Sequence, residues 1–218
     1  MTVEELGRLV ALGESATLEF KTRVPRPERI AKEVIAFANS MGGRLLLGVD
    51  DDGTLRGVRD SEEEEFALHQ ALEEYCAPPV AYAIERIAIS KKKTVILVNI
   101  PCSEHRPHFL LDPGNGGSKT AYVRVEDMSV EASKESVRLM RSRDNGQNVM
   151  FEFGEKEKML MRYLENYGRI TVAQFANLVN ISPKRASQTL VILTRANILR
   201  LHAQPDADFF TLAYDLAT

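Results

Sequence analysis

The sequence predicts an α+β protein built from a mixed-sheet domain followed by a small winged helix-turn-helix domain. Three observations carry that expectation. Residues 13–53 run strand, helix, strand and close on an acidic turn, Asp50-Asp51-Asp52-Gly53. Strand patterns recur at 82–100 and 120–125, interleaved with helical ones. The last third changes to helix, helix, turn, helix, hairpin, the order of a winged helix-turn-helix.

A chain of 218 residues suits one or two domains. Its 44% apolar and 27% charged residues are those of an ordinary globular protein. No apolar run approaches the roughly 20 residues that span a bilayer, and the start, Met1-Thr2-Val3-Glu4-Glu5, lacks the features of a secretory signal. A cytoplasmic protein with no membrane partner is expected. Cys76 and Cys102 show no C-x-x-C pairing, so free thiols are expected and no disulfide framework. The net charge of −3 argues against bulk nucleic-acid packaging, yet it allows a local basic face.

Val3, Leu6, Val10 and Leu12 give residues 3–12 near-helical spacing. Residues 17–21 alternate, with Leu18 and Phe20 on one face and Thr17, Glu19 and Lys21 on the other, facing solvent or a site. The helix over 28–41 carries a core stripe of Ile30, Val34, Phe37, Ala38 and Met41 and stops at Gly42-Gly43. Leu45-Leu46-Leu47, without alternation, fits a strand covered on both faces. Ser61 to Glu64 reads as a capping box for a helix with Phe66, Leu68, Leu72 and Tyr75 on its apolar side, ended by Pro78-Pro79. Strands at 82–89 and 94–100 form a hairpin across Ser90 to Lys93. A loop over 101–119 leads to a strand at 120–125, and a helix over 132–141 closes the first domain.

The expected division is therefore residues 1–142, a linker at 143–154, and 155–218. In the second domain a helix spans 155–167 and stops at Gly168. Thr171 and Gln174 form a capping box for a short helix, and Ser182-Pro183 opens a third helix to about Ala196. The segments 200–203 and 209–212 pair as a hairpin.

In a winged helix-turn-helix the third helix enters the major groove, so Ser182, Lys184, Arg185, Ser187 and Gln188 are its contact residues. Acidic Glu152, Glu155, Glu157, Asp206 and Asp208 keep this module near neutral, which leaves a purely protein-binding role open. Gly114 to Thr120 imitates a phosphate loop, but Ser118 separates the last glycine from Lys119 and a strand follows, so no ATP binding is expected. His105 and His108 lack the further ligands of a zinc site. Carboxylates at Glu14, Glu19 and Asp50 could hold Mg²⁺ or Mn²⁺ if they converge, which spacing alone does not decide.

Several motifs occur together in order: Gly13-Glu14-Ser15 with Leu18-Glu19-Phe20-Lys21, Ala36-Phe37-Ala38-Asn39-Ser40 with Gly42-Gly43, and Leu46-x-Gly48-Val49-Asp50-Asp51 with Gly53. With Arg106-Pro107-His108-Phe109 and Ala121-Tyr122-Val123-Arg124-Val125, residues 1–142 resemble the Schlafen-type AlbA-like domain. The resemblance implies an α+β fold associated with nucleic acid. It is also the layout of bacterial members with a C-terminal winged helix, commonly described as transcriptional regulators.

In animal relatives with RNase activity, two glutamates five apart and a later aspartate hold the catalytic metal. Glu14 and Glu19 match that spacing, and Asp50 or Asp51 matches the aspartate. Those relatives pair two such domains and carry a zinc-binding insertion that this chain lacks. The resemblance also makes Lys21, Arg23, Arg26 and Arg29, with Lys119 and Arg124, candidate phosphate contacts.

Two functions follow. The first is a DNA-binding regulator, expected as a homodimer, with DNA or RNA as partner and no required cofactor. The alternative is a Mg- or Mn-dependent nuclease acting on structured RNA or single strands. Binding ranks above catalysis.

Overall fold

The computed structural model describes residues 1–112, 117–143 and 153–213. Contacts divide the chain into two units, Met1–Glu131 and Ala132–Thr218.

The first unit opens with α1 (Val3–Val10), held by a capping box between Thr2 and Glu5. Strand β1 (Leu18–Lys21), helix α2 (Pro27–Asn39) and strand β2 (Gly42–Leu47) follow. Then come α3 (Ser61–Tyr75), β3 (Cys76–Ala77), β4 (Ala83–Ser90), β5 (Lys93–Pro101), β6 (Phe109–Asp112), β7 (Ser118–Thr120), β8 (Tyr122–Val125) and β9 (Met128–Glu131). The main sheet has the order β1-β2-β5-β4. Only β1 and β2 run parallel in it, because the α2 crossover joins them.

The pleat explains the unbroken leucine run. Leu45 and Leu47 face α2 and pack with Ile30, Val34, Phe37 and Ala38. Leu46 faces the other way and packs with Leu6 and Val10 of α1 and with Leu18 and Phe20. A strand in the sheet interior needs apolar side chains on both faces. Each such residue contributes about 1.5–3 kcal/mol when buried.

The same alternation corrects the expectation for β1. Leu18 and Phe20 point to the α1 side, so Glu19 points to the α2 side and is only 6% exposed. Both faces are covered, and the supposed charged face is interior.

Other expectations are corrected locally. Met41 lies past the end of α2 and is 72% exposed, so it leaves the core stripe. Asp60, not Ser61, caps α3, accepting from the N–H groups of Glu62 and Glu63. Phe66 is 68% exposed, while Leu68 and Leu72 supply the buried side of α3. The loop expected over 101–119 contains β6 and β7, and the strand expected at 120–125 is divided between β7 and β8. At Gly42, with φ +77°, a Cβ would lie 2.7 Å from the Ile100 carbonyl oxygen and the Cys102 nitrogen. Only glycine fits that close crossing.

The second unit contains α4 (Lys134–Arg143), α5 (Glu155–Tyr167), α6 (Val172–Leu178), α7 (Pro183–Arg195), β10 (Leu199–His202) and β11 (Phe209–Leu212). Leu160, Leu164, Phe175, Leu190, Leu193 and Phe210 form its core. Thr171 and Gln174 make the expected capping box, and Ser182 caps α7 with Pro183 at its first position. Strands β10 and β11 pair antiparallel, and Ile170 bridges to Phe210. Helix α4 belongs to this unit and packs on α7, whereas the sequence places it with the sheet domain. Of the expected linker, residues 144–152 lie outside the described residues. No helix among the described residues is long and apolar enough to cross a membrane.

Candidate nucleic-acid interface

The acidic set is dispersed into three separate structural duties. Glu14 accepts the Phe20 backbone N–H through Oε1 at 2.8 Å. Because β1 is an edge strand, that N–H has no neighbouring strand to bond. Nearby, Ser15 and Leu18 exchange backbone bonds, and Lys21 Nζ donates to the Phe20 carbonyl at 2.9 Å. The edge is closed by its own side chains, a device that discourages pairing with another chain.

Glu19 belongs to a buried ion network. Its Oε2 lies 3.0 Å from Arg124 Nη1, and its Oε1 accepts from Lys21 Nζ. Arg124 Nη1 also donates to Glu33 Oε2 at 2.9 Å and to Ser129 Oγ at 3.2 Å. Its Nη2 reaches the Ser15 carbonyl at 2.8 Å. The guanidinium lies 4.6 Å from the centroid of the Phe37 ring. Ser129 Oγ donates to Glu33 Oε2. Two atoms inside this network, Glu19 Oε2 and Arg124 Nε, have no hydrogen-bond partner. Burial holds the Glu19 carboxyl above its usual range, against the pull of Lys21 and Arg124 and with the push of Glu33.

Asp50 pairs instead with Arg56, with Nε to Oδ2 at 2.6 Å. Asp52 Oδ1 accepts the Thr54 N–H at 2.8 Å, which holds its carboxyl below the usual range. Among the described residues no three His, Cys, Asp or Glu side chains are grouped to hold a metal ion. A divalent cation needs several oxygen ligands at once. Here the guanidinium of Arg124 already supplies the positive charge beside Glu19. Glu14, Glu19 and Asp50 therefore do not fit Mg²⁺ or Mn²⁺ as a set.

The basic candidates of the first unit separate into interior and surface groups. Arg124 has a side chain 1% exposed, so it is a core counter-ion and not a phosphate contact. Lys21 is half-buried and engaged with Glu19 and Phe20. Arg23, Arg26, Arg29 and Lys119 are exposed. The first three surround the start of α2, where Arg26 occupies the cap position without a side-chain cap bond. The Arg29 and Ile30 N–H groups both bond to the Arg26 carbonyl, at 3.0 and 3.2 Å.

The loop after β5 is locked. His108 is buried, and its Nδ1 donates to the Pro78 carbonyl at 2.9 Å, so its Nε2 accepts from Ser103 Oγ at 2.7 Å. Asn39 bonds both backbone groups of His108. Burial keeps this imidazole below its usual pKa, and both ring nitrogens are engaged. In the loop that imitates a phosphate cradle, Gly114, Asn115 and Gly116 lie outside the described residues. Gly117 donates to the Asp112 carbonyl, and Ser118 to Thr120 form β7.

In the second unit, Ser182 Oγ accepts the Arg185 N–H at 3.4 Å and starts α7. Lys184, Arg185 and Gln188 are exposed on its N-terminal half. Ser187 is buried: its Oγ donates to Glu135 and accepts from Arg138 Nη1 at 2.6 Å. It therefore leaves the expected contact set and joins the α4 packing. Arg195 is also exposed, on the same side as Lys184 and Gln188. Its spacing of seven from Gln188, close to two helical turns, is the signal that could have found it.

Residues 14–133 match the family described as Schlafen, AlbA_2. Among solved structures, the N-terminal domain of an ATP-dependent DNA helicase RecG-related protein from Nitrosomonas europaea is 25% identical, with a TM-score of 0.42. That match covers 57% of this chain and 89% of that one. The DIP2311 protein from Corynebacterium diphtheriae is 17% identical, with a TM-score of 0.45, over 68% of this chain and 29% of that one.

Proposed function

The chain belongs to the Schlafen, AlbA_2 family, whose domains associate with nucleic acids, and from that premise we propose that it is a DNA-binding transcriptional regulator. One observation carries this reading: Lys184, Arg185 and Gln188 stand exposed together at the start of a capped helix. That helix follows the short α6 after a tight turn and precedes the β10–β11 hairpin, an order that supports a winged helix-turn-helix. Lys and Arg supply phosphate contacts, Arg can fork onto guanine, and Gln can pair with adenine. Asp206 is exposed in the hairpin loop, so the helix and not the hairpin tip makes the contact. As a homodimer the protein would set two such helices on half-sites about 34–36 Å apart.

The first unit adds Arg23, Arg26, Arg29 and Lys119 as a second exposed basic group. No observation favours the Mg- or Mn-dependent nuclease, because the three carboxylates serve β1, Arg124 and Arg56.

The test is fluorescence anisotropy of a labelled duplex with the full chain across a salt series. Binding should weaken linearly in log salt, and Arg185→Ala should lower the slope by about 0.9, one phosphate's worth of counterion release. Absence of duplex binding at about 50 mM salt, where a protein with several phosphate contacts binds, would overturn the proposal.

A further inference from the structure

Helix α4 brings a second row of cations against α7. Lys134, Arg138 and Arg141 follow i, i+4, i+7 spacing, so at about 100° per residue they share one face, within about 60° of one another. The opposite side of the helix is anchored: Ser136 and Met140 are buried. At its N-terminal end, Ser133 and Ser136 hydroxyls both donate to Asp208, at 2.5 and 3.0 Å. The basic face is thereby fixed in direction.

The two helices join at Ser187. Arg138 Nη1 is 2.6 Å from Ser187 Oγ, and the Arg138 side chain remains 41% exposed. Ser187 is three residues from Lys184, a surface neighbour on α7. The Arg138 guanidinium therefore meets α7 about one turn from Lys184, the cation that the DNA reading already uses. Glu135, the one acid of α4, is 15% exposed and turned onto Ser187 and Arg138, which limits its opposing charge. Lys134 and Arg141 are exposed. Taken alone, α7 offers three exposed cations, Lys184, Arg185 and Arg195; α4 adds three more on the adjoining surface. A phosphate backbone is an extended anion that can engage exposed cations on adjoining helices together.

We propose that α4 is a second contact helix, whose Lys134–Arg138–Arg141 face binds the backbone phosphates beside the groove that α7 enters. This rests on the DNA-binding reading above and extends its footprint to a helix that the winged module itself does not include. The ligand is duplex DNA, recognised by α4 through phosphate spacing and not through bases.

The test uses the full chain and a labelled duplex of about two helical turns, with the salt slope as readout. Lys134→Ala should reduce the slope by about 0.9, and Lys134→Ala with Arg141→Ala by about 1.8. Arg138 is left in place because it also holds Ser187, and unchanged thermal unfolding verifies that the variants are folded. An unchanged slope in both α4 variants, with the slope still falling in Lys184→Ala, overturns this proposal and leaves the α7 reading standing. If the parent chain does not bind duplex, both fall together. Tighter binding to single-stranded RNA than to duplex, with the same slope loss, overturns duplex DNA as the ligand of α4.

Discussion

Replacing Arg124 with methionine tests the interior network of the first unit. The guanidinium makes three hydrogen bonds, to Glu33, Ser129 and the Ser15 carbonyl, at 2.9, 3.2 and 2.8 Å. It also sits 3.0 Å from Glu19 Oε2. Methionine keeps most of the volume against Phe37 but leaves Glu19 and Glu33 without their shared counter-charge. Removing one partner of a buried ion pair costs about 3–5 kcal/mol, because the remaining charge is uncompensated. For a chain of this size that corresponds to a fall in Tm of about 10 °C. Calorimetry, following the transition of the first unit, measures it. The loss should shrink as pH falls, since burial already raises the Glu19 carboxyl and, freed of Arg124, it holds its proton more tightly in the folded state. A surface arginine would change stability by about 0.5 kcal/mol or less. A Tm loss of that small size, independent of pH, would refute the buried-network account.

Two further stability predictions follow. Glu14→Ala should cost about 1–2 kcal/mol in urea unfolding by leaving the Phe20 N–H unbonded, and should raise the tendency to aggregate through the β1 edge; a soluble variant of parental stability would contradict the edge-closing role. Glu19→Gln removes a carboxyl whose folded pKa is raised by burial. Such a group contributes its stability below the unfolded-state pKa and loses it as pH rises through the folded one. The stability of Glu19→Gln relative to the parent should therefore fall as pH is lowered from neutral through the carboxylate range. A relative gain on acidification would mean that ion pairing, and not burial, sets the Glu19 pKa.

Where local pattern and tertiary setting agree, the sequence is informative. The apolar stripe of α2 and the run Leu45 to Leu47 predict a covered helix–strand pair, because both depend on near neighbours. Thr171, Gln174, Ser182 and Pro183 predict their helix starts because caps are short-range chemistry. The strands β6 and β9 are missed, since Phe109 to Asp112 is embedded among Pro, Gly and His and Met128 to Glu131 is only four residues long.

The site residues divide along the same line. The exposure of Lys184, Arg185 and Gln188 is legible because it is fixed by the N-terminal turns of one helix. Glu19 is not legible: alternation shows that it opposes Phe20, but not that α2 covers that face. Its partner Arg124 lies far along the chain, on β8. The same limit conceals Ser187, whose burial depends on α4 packing against α7.

The central claim, that α7 carries nucleic-acid recognition, is tested most directly by mapping backbone amide shifts of the full chain as duplex DNA is added. Perturbations should concentrate on Ser182 to Arg195, strongest at Lys184, Arg185 and Gln188, with the buried core around Phe37 and Leu46 unmoved. Binding that perturbs only Arg23 to Arg29 and leaves α7 unchanged would contradict the account.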